Sequence, residues 1–370
     1  MRVFLQKLLT DRVIKLANKY TSRPNQKRVH EALTSLFNHI NKGQGKHGLI
    51  LDFDPSSRLI IFSDQHKGNR SPGDDFALSE KNYLAALKYY NDQQFLFCSL
   101  GDSEEFWKYP VLSVLKHNKA TFEQEANFLK RNAFFKIFGN HDLYWDNDPL
   151  AGYQLEKAYG KKLKVHEGII LRIPIDSRTL AVFLTHGHQG DLQSDGNWFS
   201  KWFVSNVWAP FQAYLRINPN TPAFDNQLKS KHNAMMYDWT AQQSGMALIT
   251  GHTHQPVFNS LTHLERTYIR LEEARKNGNA EVVQKLEAEL IAGKISGDTS
   301  PRLDYSRNTY FNTGCCCFND GDITGIEIAD GKIRLIKWKF IPQTGSKRTV
   351  LEESSLANLL EPIVPAESKI

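Results

Sequence analysis

The sequence predicts an α/β fold of packed helix and sheet layers. Three observations predict it. Five short apolar runs, rich in branched and aromatic residues, read as buried strands. Segments with helical signals alternate with the first three of these runs, the pattern that builds α and β layers. A chain of 370 residues, 41% hydrophobic and 23% charged, is long enough to bury a full core.

In chain order, residues 1–48 form a basic helical arm. Ten Lys and Arg there oppose only Asp11 and Glu31, a surplus of eight where the whole chain has +6. Phe4, Leu5, Leu8, Leu9 and Leu16 suggest a first helix, Ser22-Arg23-Pro24-Asn25 breaks it, and a second spans Gln26 to Asn41. The arm either packs on the domain with a solvated basic face, the more ordinary case, or docks on a membrane surface or nucleic acid. The main domain covers residues 49–345. Lys67 to Asp75 reads as a polar loop, Ser79 to Tyr90 as a helix with Ser79 as cap, and Pro149 to Tyr159 as another helix.

Two insertions interrupt the domain. Residues 189–245 hold Trp198, Trp202, Trp208 and Trp239, four of the seven tryptophans, together with Phe199, Phe203, Phe211 and Tyr214. So many aromatics must cover something: their own domain, the site, an oligomer face or a lipid. Residues 261–292 read as a charged helical hairpin turning at Asn277-Gly278-Asn279. Closing strands follow at Thr309–Asn312, Ile323–Ala329 and Ile333–Phe340, and residues 346–370 read as a loose polar tail.

No window holds eighteen uninterrupted apolar residues, and Lys7 and Asp11 interrupt any secretion-signal core at the N-terminus. Cys315-Cys316-Cys317 are adjacent, which suits neither a disulfide framework nor metal-finger spacing. These features give a reducing cytoplasm as the expected compartment, with peripheral membrane attachment through the arm as the variant.

The chemistry lies where the five apolar runs end. Leu59–Ser63 runs into Asp64-Gln65-His66, and Phe95–Leu100 into Gly101-Asp102. Phe134–Phe138 ends in Gly139-Asn140-His141-Asp142, where the glycine is expected to allow a sharp turn. Leu180–Thr185 meets His186-Gly187-His188, and Met246–Thr250 meets Gly251-His252-Thr253-His254. In extended chain, residues two apart share a face, so Asp64 with His66, and His252 with His254, could each grip one ion. Carboxylate, imidazole and amide oxygen without thiolate suit Mn, Fe, Zn or Ni better than Ca. There are too many donors for one ion, and two ions sharing a carboxylate suit displacement at phosphorus.

This ordered set resembles the calcineurin-like metallophosphoesterases, whose pattern is D-x-H, GD, GNH[DE], a lone H, then GHxH. The resemblance covers about half the chain. It implies a four-layer α-β-β-α sandwich of two sheets and two divalent ions, Mn, Fe or Zn. It implies that Asp64, His66, Asp102 and His254 hold one ion. Asp102, Asn140, His186 and His252 would hold the other, with Asp102 bridging. His188 is the alternative to His186, which matches the pattern better. His141 would be the proton donor, and Glu105, three after Asp102, either its orienter or an exposed charge.

The implied activity is hydrolysis of a phosphodiester or pyrophosphate bond by a hydroxide held between the ions. Phe106 stands where protein phosphatases of the superfamily carry a phosphate-binding arginine, which disfavours a protein substrate. Gly-Asp-x-x-Glu-x-Trp is similar to the UDP-2,3-diacylglucosamine pyrophosphohydrolases, although those carry Arg at the position of His141 and are much shorter. The alternatives are a nuclease of the same mechanism and a non-catalytic metal-binding scaffold. Oligomeric state is not legible.

Overall fold

The structure, a computed structural model, describes residues 25–43, 48–54, 56–190, 226–258, 271, 274–275, 278–295 and 309–360. Twelve strands fall into two sheets among these residues. β1 (Gly48–Asp52), β6 (Gly168–Ile175), β7 (Arg178–Thr185), β8 (Met246–Thr250) and β9 (Tyr310–Asn312) form the first, in that order. The second runs β12 (Gly345–Ser355), β11 (Lys332–Ile341), β10 (Ile323–Ala329), β2 (Leu59–Phe62), β3 (Leu96–Leu100), β4 (Phe134–Ile137), β5 (Val165–His166). β2, β3 and β4 are mutually parallel, as are β7, β8 and β9. Parallel neighbours send their C-terminal loops to one rim, where open α/β sheets present their ligand sites.

The inner faces of the two sheets meet in a core that includes Ile61, Leu100, Ile137, Leu171, Val182, Leu184, Ile249 and Phe311. Helices cover both outer faces. α1 (Gln26–Asn41) is capped by Asn25, whose side chain accepts from the Arg28 amide, and it buries Val29, Leu33 and Ile40. On the second sheet lie α2 (Glu80–Asp92), α3 (Val111–His117), α4 (Lys119–Lys130) and α5 (Ala151–Tyr159), with Tyr83, Tyr90, Phe122, Phe128 and Tyr159 against Phe62, Phe97 and Phe134. α6 (Asn226–Ala241) joins α1 on the first sheet, and α7 (Ala280–Ile295) completes the set named here. The architecture is the expected four-layer α-β-β-α sandwich.

The elements depart from expectation in two places, the C-terminal stretch and the cap of α2, and one open alternative is settled at Trp239. The polar stretch after Pro342 is no loose tail: Gly345–Ser355 pairs antiparallel with β11 as an edge strand. Its side chains are charged because an edge strand tolerates polarity and is protected by it, and Arg348 clasps the buried Glu327 at 2.7 and 2.9 Å. Ser79 occupies the N-cap of α2 without a capping side-chain hydrogen bond. Trp239, in the aromatic insertion, is buried between α1 and β7, with its Nε1 donating to Thr34 Oγ1 at 2.9 Å and its ring beside Phe183. It therefore packs on its own domain. Trp198, Trp202, Trp208 and the expected first helix of the arm lie outside the described residues.

Candidate metal centre

All five strand ends reach the same rim. The second sheet brings Asp64 and His66 after β2, Asp102 and Glu105 after β3, and Asn140 and His141 after β4. From the first sheet come His186 after β7 and His252 and His254 after β8. The loops are not extended. Asp64, His66, Asp102, His252 and His254 all have left-handed backbone, with φ of 52°, 49°, 51°, 70° and 56°. For residues other than glycine this costs of order 1–3 kcal/mol each, and it concentrates at functional sites. Period-two alternation therefore does not place these side chains. Tight turns do, and they separate His252 from His254 instead of giving them one face.

Gly139 also differs from expectation. Its φ is not positive, so it is required for space and not for a turn: a Cβ would collide with the Asp102 carboxylate. Gly251 serves similarly, its Cβ position being filled by Asp64 with Ser63, whereas Gly101 both takes a φ of 84° and leaves its Cβ position to the His186 ring.

The side chains form two adjoining clusters. In one, His254 Nε2 stands 3.2 Å from Asp64 Oδ1 and 3.0 Å from His66 Nε2. In the other, Asp102, His186 and His252 bring one donor atom each within 4.8 Å of one another. Asp102 Oδ2 lies between them, 3.2 Å from His186 Nε2 and 3.7 Å from His66 Nε2. His186, not His188, is the imidazole held against Asp102, and its Nδ1 is fixed by the Leu100 carbonyl at 3.0 Å. That bond assigns the proton to Nδ1 and leaves Nε2 as a donor of electrons. His188 packs near Phe138, its ring centroid 6.2 Å away.

Electrostatics follow from crowding and burial. Burial alone would raise the Asp102 carboxyl, but His186 and His141 hold it far below the usual carboxylate range. Burial likewise opposes charge on His186, yet Asp102 lifts it to about 9. His254 also rises to about 9, through Cys317 and Asp64 acting against burial. Burial and the neighbouring His186 push His188 down to about 3, and the same two causes depress His252.

The residues fit divalent metal by one test in particular. Asn140 Oδ1, His186 Nε2 and His252 Nε2 are buried without a hydrogen-bond partner. The approach of His186 Nε2 to Asp102 at 3.2 Å is a charge contact that does not meet hydrogen-bond geometry. Buried polar atoms are normally satisfied, and an orphan calls for an explanation such as an ion. Three orphans of metal-ligating type have that explanation in common: two belong to residues grouped with Asp102, and the third, on Asn140, sits next to His141, whose amide donates to Asp102 Oδ1 at 2.8 Å.

Glu105 is buried, not the exposed charge that was its alternative. It joins His141 Nδ1 at 2.9 Å to His66 Nδ1 at 3.2 Å. His66, Glu105 and His141 also have the proximity of an ion cluster, but the two imidazole–carboxylate hydrogen bonds account for it. Trp107 stacks on His141 with centroids 4.1 Å apart and planes 20° from parallel. Phe106 packs on Tyr144 and Trp145, away from this work.

Beneath the centre lies a group that sequence reasoning missed. Lys67 and Lys136 are completely buried with Glu104 and Glu125. Lys67 Nζ is 3.1 Å from Glu104 and 2.8 Å from Glu125; Lys136 Nζ is 2.9 Å from Glu104. Burial would raise the Glu104 carboxyl, but the two lysines hold it down at about 2. Trp145 Nε1 donates to Glu104, and the Tyr83 and Tyr159 hydroxyls donate to Glu125, at 2.6, 2.9 and 2.6 Å. Asp142 accepts from the Gly139 and Ser103 amides at 2.6 and 2.9 Å and so ties two site loops together. The available signal was Lys136, a lysine inside an apolar strand.

The calcineurin-like phosphoesterase family model matches residues 57–256, more than half of the chain and the whole run from Asp64 to His254. The chain belongs to that family. It is a metal-dependent phosphoric ester hydrolase. Among solved structures it is similar to vacuolar protein sorting 29 from Cryptosporidium parvum, at 11% identity and TM-score 0.31, over 82% of this chain and 100% of that one. It is also similar to a putative 5′-nucleotidase from Staphylococcus aureus, at 10% identity and TM-score 0.32, over 81% of this chain and 54% of that one. Likenesses this weak bear no argument. No curated protein matches the sequence. No helix among the described residues is long and apolar enough to cross a membrane.

Proposed function

We propose that this phosphoesterase hydrolyses a phosphodiester or pyrophosphate bond at a dinuclear centre, with Asp102 shared between the ions. Asp64, His66 and His254 complete one ligand set; Asn140, His186 and His252 complete the other. The grouping of Asp102 with His186 and His252, whose Nε2 atoms are both orphaned, carries this reading, and the orphaned Asn140 Oδ1 one residue before His141 supports it. Two divalent ions bound there supply neutralisation of the phosphate oxygens and acidification of water. Mn, Fe or Zn suits the oxygen and nitrogen donors.

The chain's own residues do the rest. Glu105 accepts a hydrogen bond from His141 Nδ1 and so fixes the ring, leaving Nε2 as the atom that passes a proton to the leaving oxygen. The Trp107 stack restrains the same ring and offers an apolar surface beside the leaving group. That surface gives a second large substituent on phosphorus, as in a diester or pyrophosphate, something to pack on. Phe106 in place of the arginine of protein phosphatases disfavours a protein substrate.

A substrate panel tests this. With Mn²⁺ present, bis-p-nitrophenyl phosphate or a UDP-sugar should turn over faster than p-nitrophenyl phosphate, and chelation should abolish every activity. Preference for the monoester would refute the substrate class. Turnover of single-stranded DNA above all others would make the nuclease the better reading.

A further inference from the structure

A sixth strand end meets the rim and has no part in the chemistry above. β9 is followed by Cys315-Cys316-Cys317, all buried and none in a disulfide. From sequence their adjacency suits no familiar metal spacing, but the fold supplies the missing partner. Cys316 Sγ turns away toward the Thr324 carbonyl, 3.9 Å off. Cys315 and Cys317, two apart, come together with His254 so that both sulfurs and one imidazole nitrogen lie within 4.8 Å of one another. Cys317 Sγ stands 3.8 Å from His254 Nδ1. Around one tetrahedral zinc two sulfurs stand ~3.8 Å apart and a sulfur and a nitrogen ~3.5 Å, given Zn–S near 2.3 Å and Zn–N near 2.0 Å. The cysteine–histidine pair needs to close by only about 0.3 Å to reach that separation.

We propose that Cys315, Cys317 and His254 Nδ1 form a third cation site, selective for a thiophilic ion such as Zn²⁺ or Cd²⁺. Two thiolates and an imidazole are a soft donor set that Mn²⁺ does not favour. Three protein donors leave a fourth position for water or another ligand. The site adjoins the hydrolytic centre without duplicating it, because His254 turns Nε2 toward Asp64 and His66 and Nδ1 toward the sulfur. One ring thus connects a hard and a soft site, and with both filled it is an imidazolate whose remaining N–H proton is released to solvent. The inference rests on the dinuclear reading only for the role of Nε2.

The full chain, reduced and stripped of metal, should load two equivalents of Mn²⁺ but three of Cd²⁺. One Cd²⁺ equivalent should bring the ultraviolet thiolate-to-cadmium charge-transfer absorbance. Replacing both cysteines, C315S with C317S, should remove that absorbance and one equivalent while two remain. ¹¹³Cd NMR of the unmutated chain gives the same answer without mutation: one strongly deshielded, sulfur-ligated resonance beside shielded ones. Shielded resonances alone, or charge-transfer absorbance that survives in the double variant, would overturn the proposal. A thiolate band in the wild type, with the double variant binding fewer than two ions, would instead count against the dinuclear centre and leave the thiol site standing.

Discussion

Two buried polar clusters lie one above the other in this protein, and they are built on opposite rules. In the lower one, Lys67, Lys136, Glu104, Glu125 and Asp142 satisfy each other, helped by Trp145, Tyr83 and Tyr159, and none of their side-chain polar atoms lacks a partner. In the upper one, Asn140, His186 and His252 each bury an unsatisfied donor atom. Burial and charge do not separate a structural network from a binding centre, since both clusters have both. Satisfaction does. The lower network holds the Glu104 and Asp142 loops still, and the upper one keeps its valences for something that the chain does not provide.

The comparison sharpens most at His141, which lies beside the upper cluster but is not among its orphans. Replacing it with Ala should lower kcat by about 10²–10⁴, the usual range for a positioned general acid, while bound Mn²⁺ stays at the wild-type level by elemental analysis. Equal loss of metal and rate would move His141 into the ligand set.

Lys136→Met should act on stability instead. Removing one partner of a buried ion pair costs about 3–5 kcal/mol, and denaturant unfolding should show this with and without metal. A change below ~1 kcal/mol, of the size ordinary surface substitutions give, would break the distinction between the two clusters.

The upper cluster should gain from ions what the lower one has already. Mn²⁺ at a hundredfold excess over its Kd should stabilise the chelated protein by about 2.7 kcal/mol for each ion bound. Asn140→Ala should change metal-free stability by no more than about 1 kcal/mol, since its Oδ1 makes no hydrogen bond to lose. At the same Mn²⁺ concentration the variant should gain less than wild type. An unchanged gain would remove Asn140 from the ligands.

The smallest effect is expected at Trp107. An aromatic stack is worth about 0.5–1.5 kcal/mol, so Trp107→Ala should lower kcat for a bulky diester by roughly three- to tenfold. The loss should be less for p-nitrophenyl phosphate. Identical losses on both would mean that Trp107 steadies His141 without meeting the substrate.

Much was legible in the sequence because strong local patterns agreed with the fold. Gln26–Asn41, Met246–Thr250 and Ile323–Ala329 form the expected elements with the expected bounds. Each pairs a clear apolar pattern with turn residues at its ends. The order of the five polar strand ends also sufficed to identify the family, because metal ligands must be particular residue types at particular strand ends. β12 was missed because its stability comes from pairing with β11 and from the Arg348–Glu327 contact, 21 residues apart. A charged edge strand carries no apolar signature of its own.

Residue type and order were thus fixed by the sequence, and spatial partnership was decided by tertiary structure alone. Nothing local says that Lys67 and Lys136 meet at Glu104. Nor does anything local bring Cys317 to His254, 63 residues away. The left-handed turns at Asp64, His66, Asp102, His252 and His254 also run against local preference. Such backbone persists only where long-range packing over-determines it, so its signal lies in the closure of two sheets onto one rim.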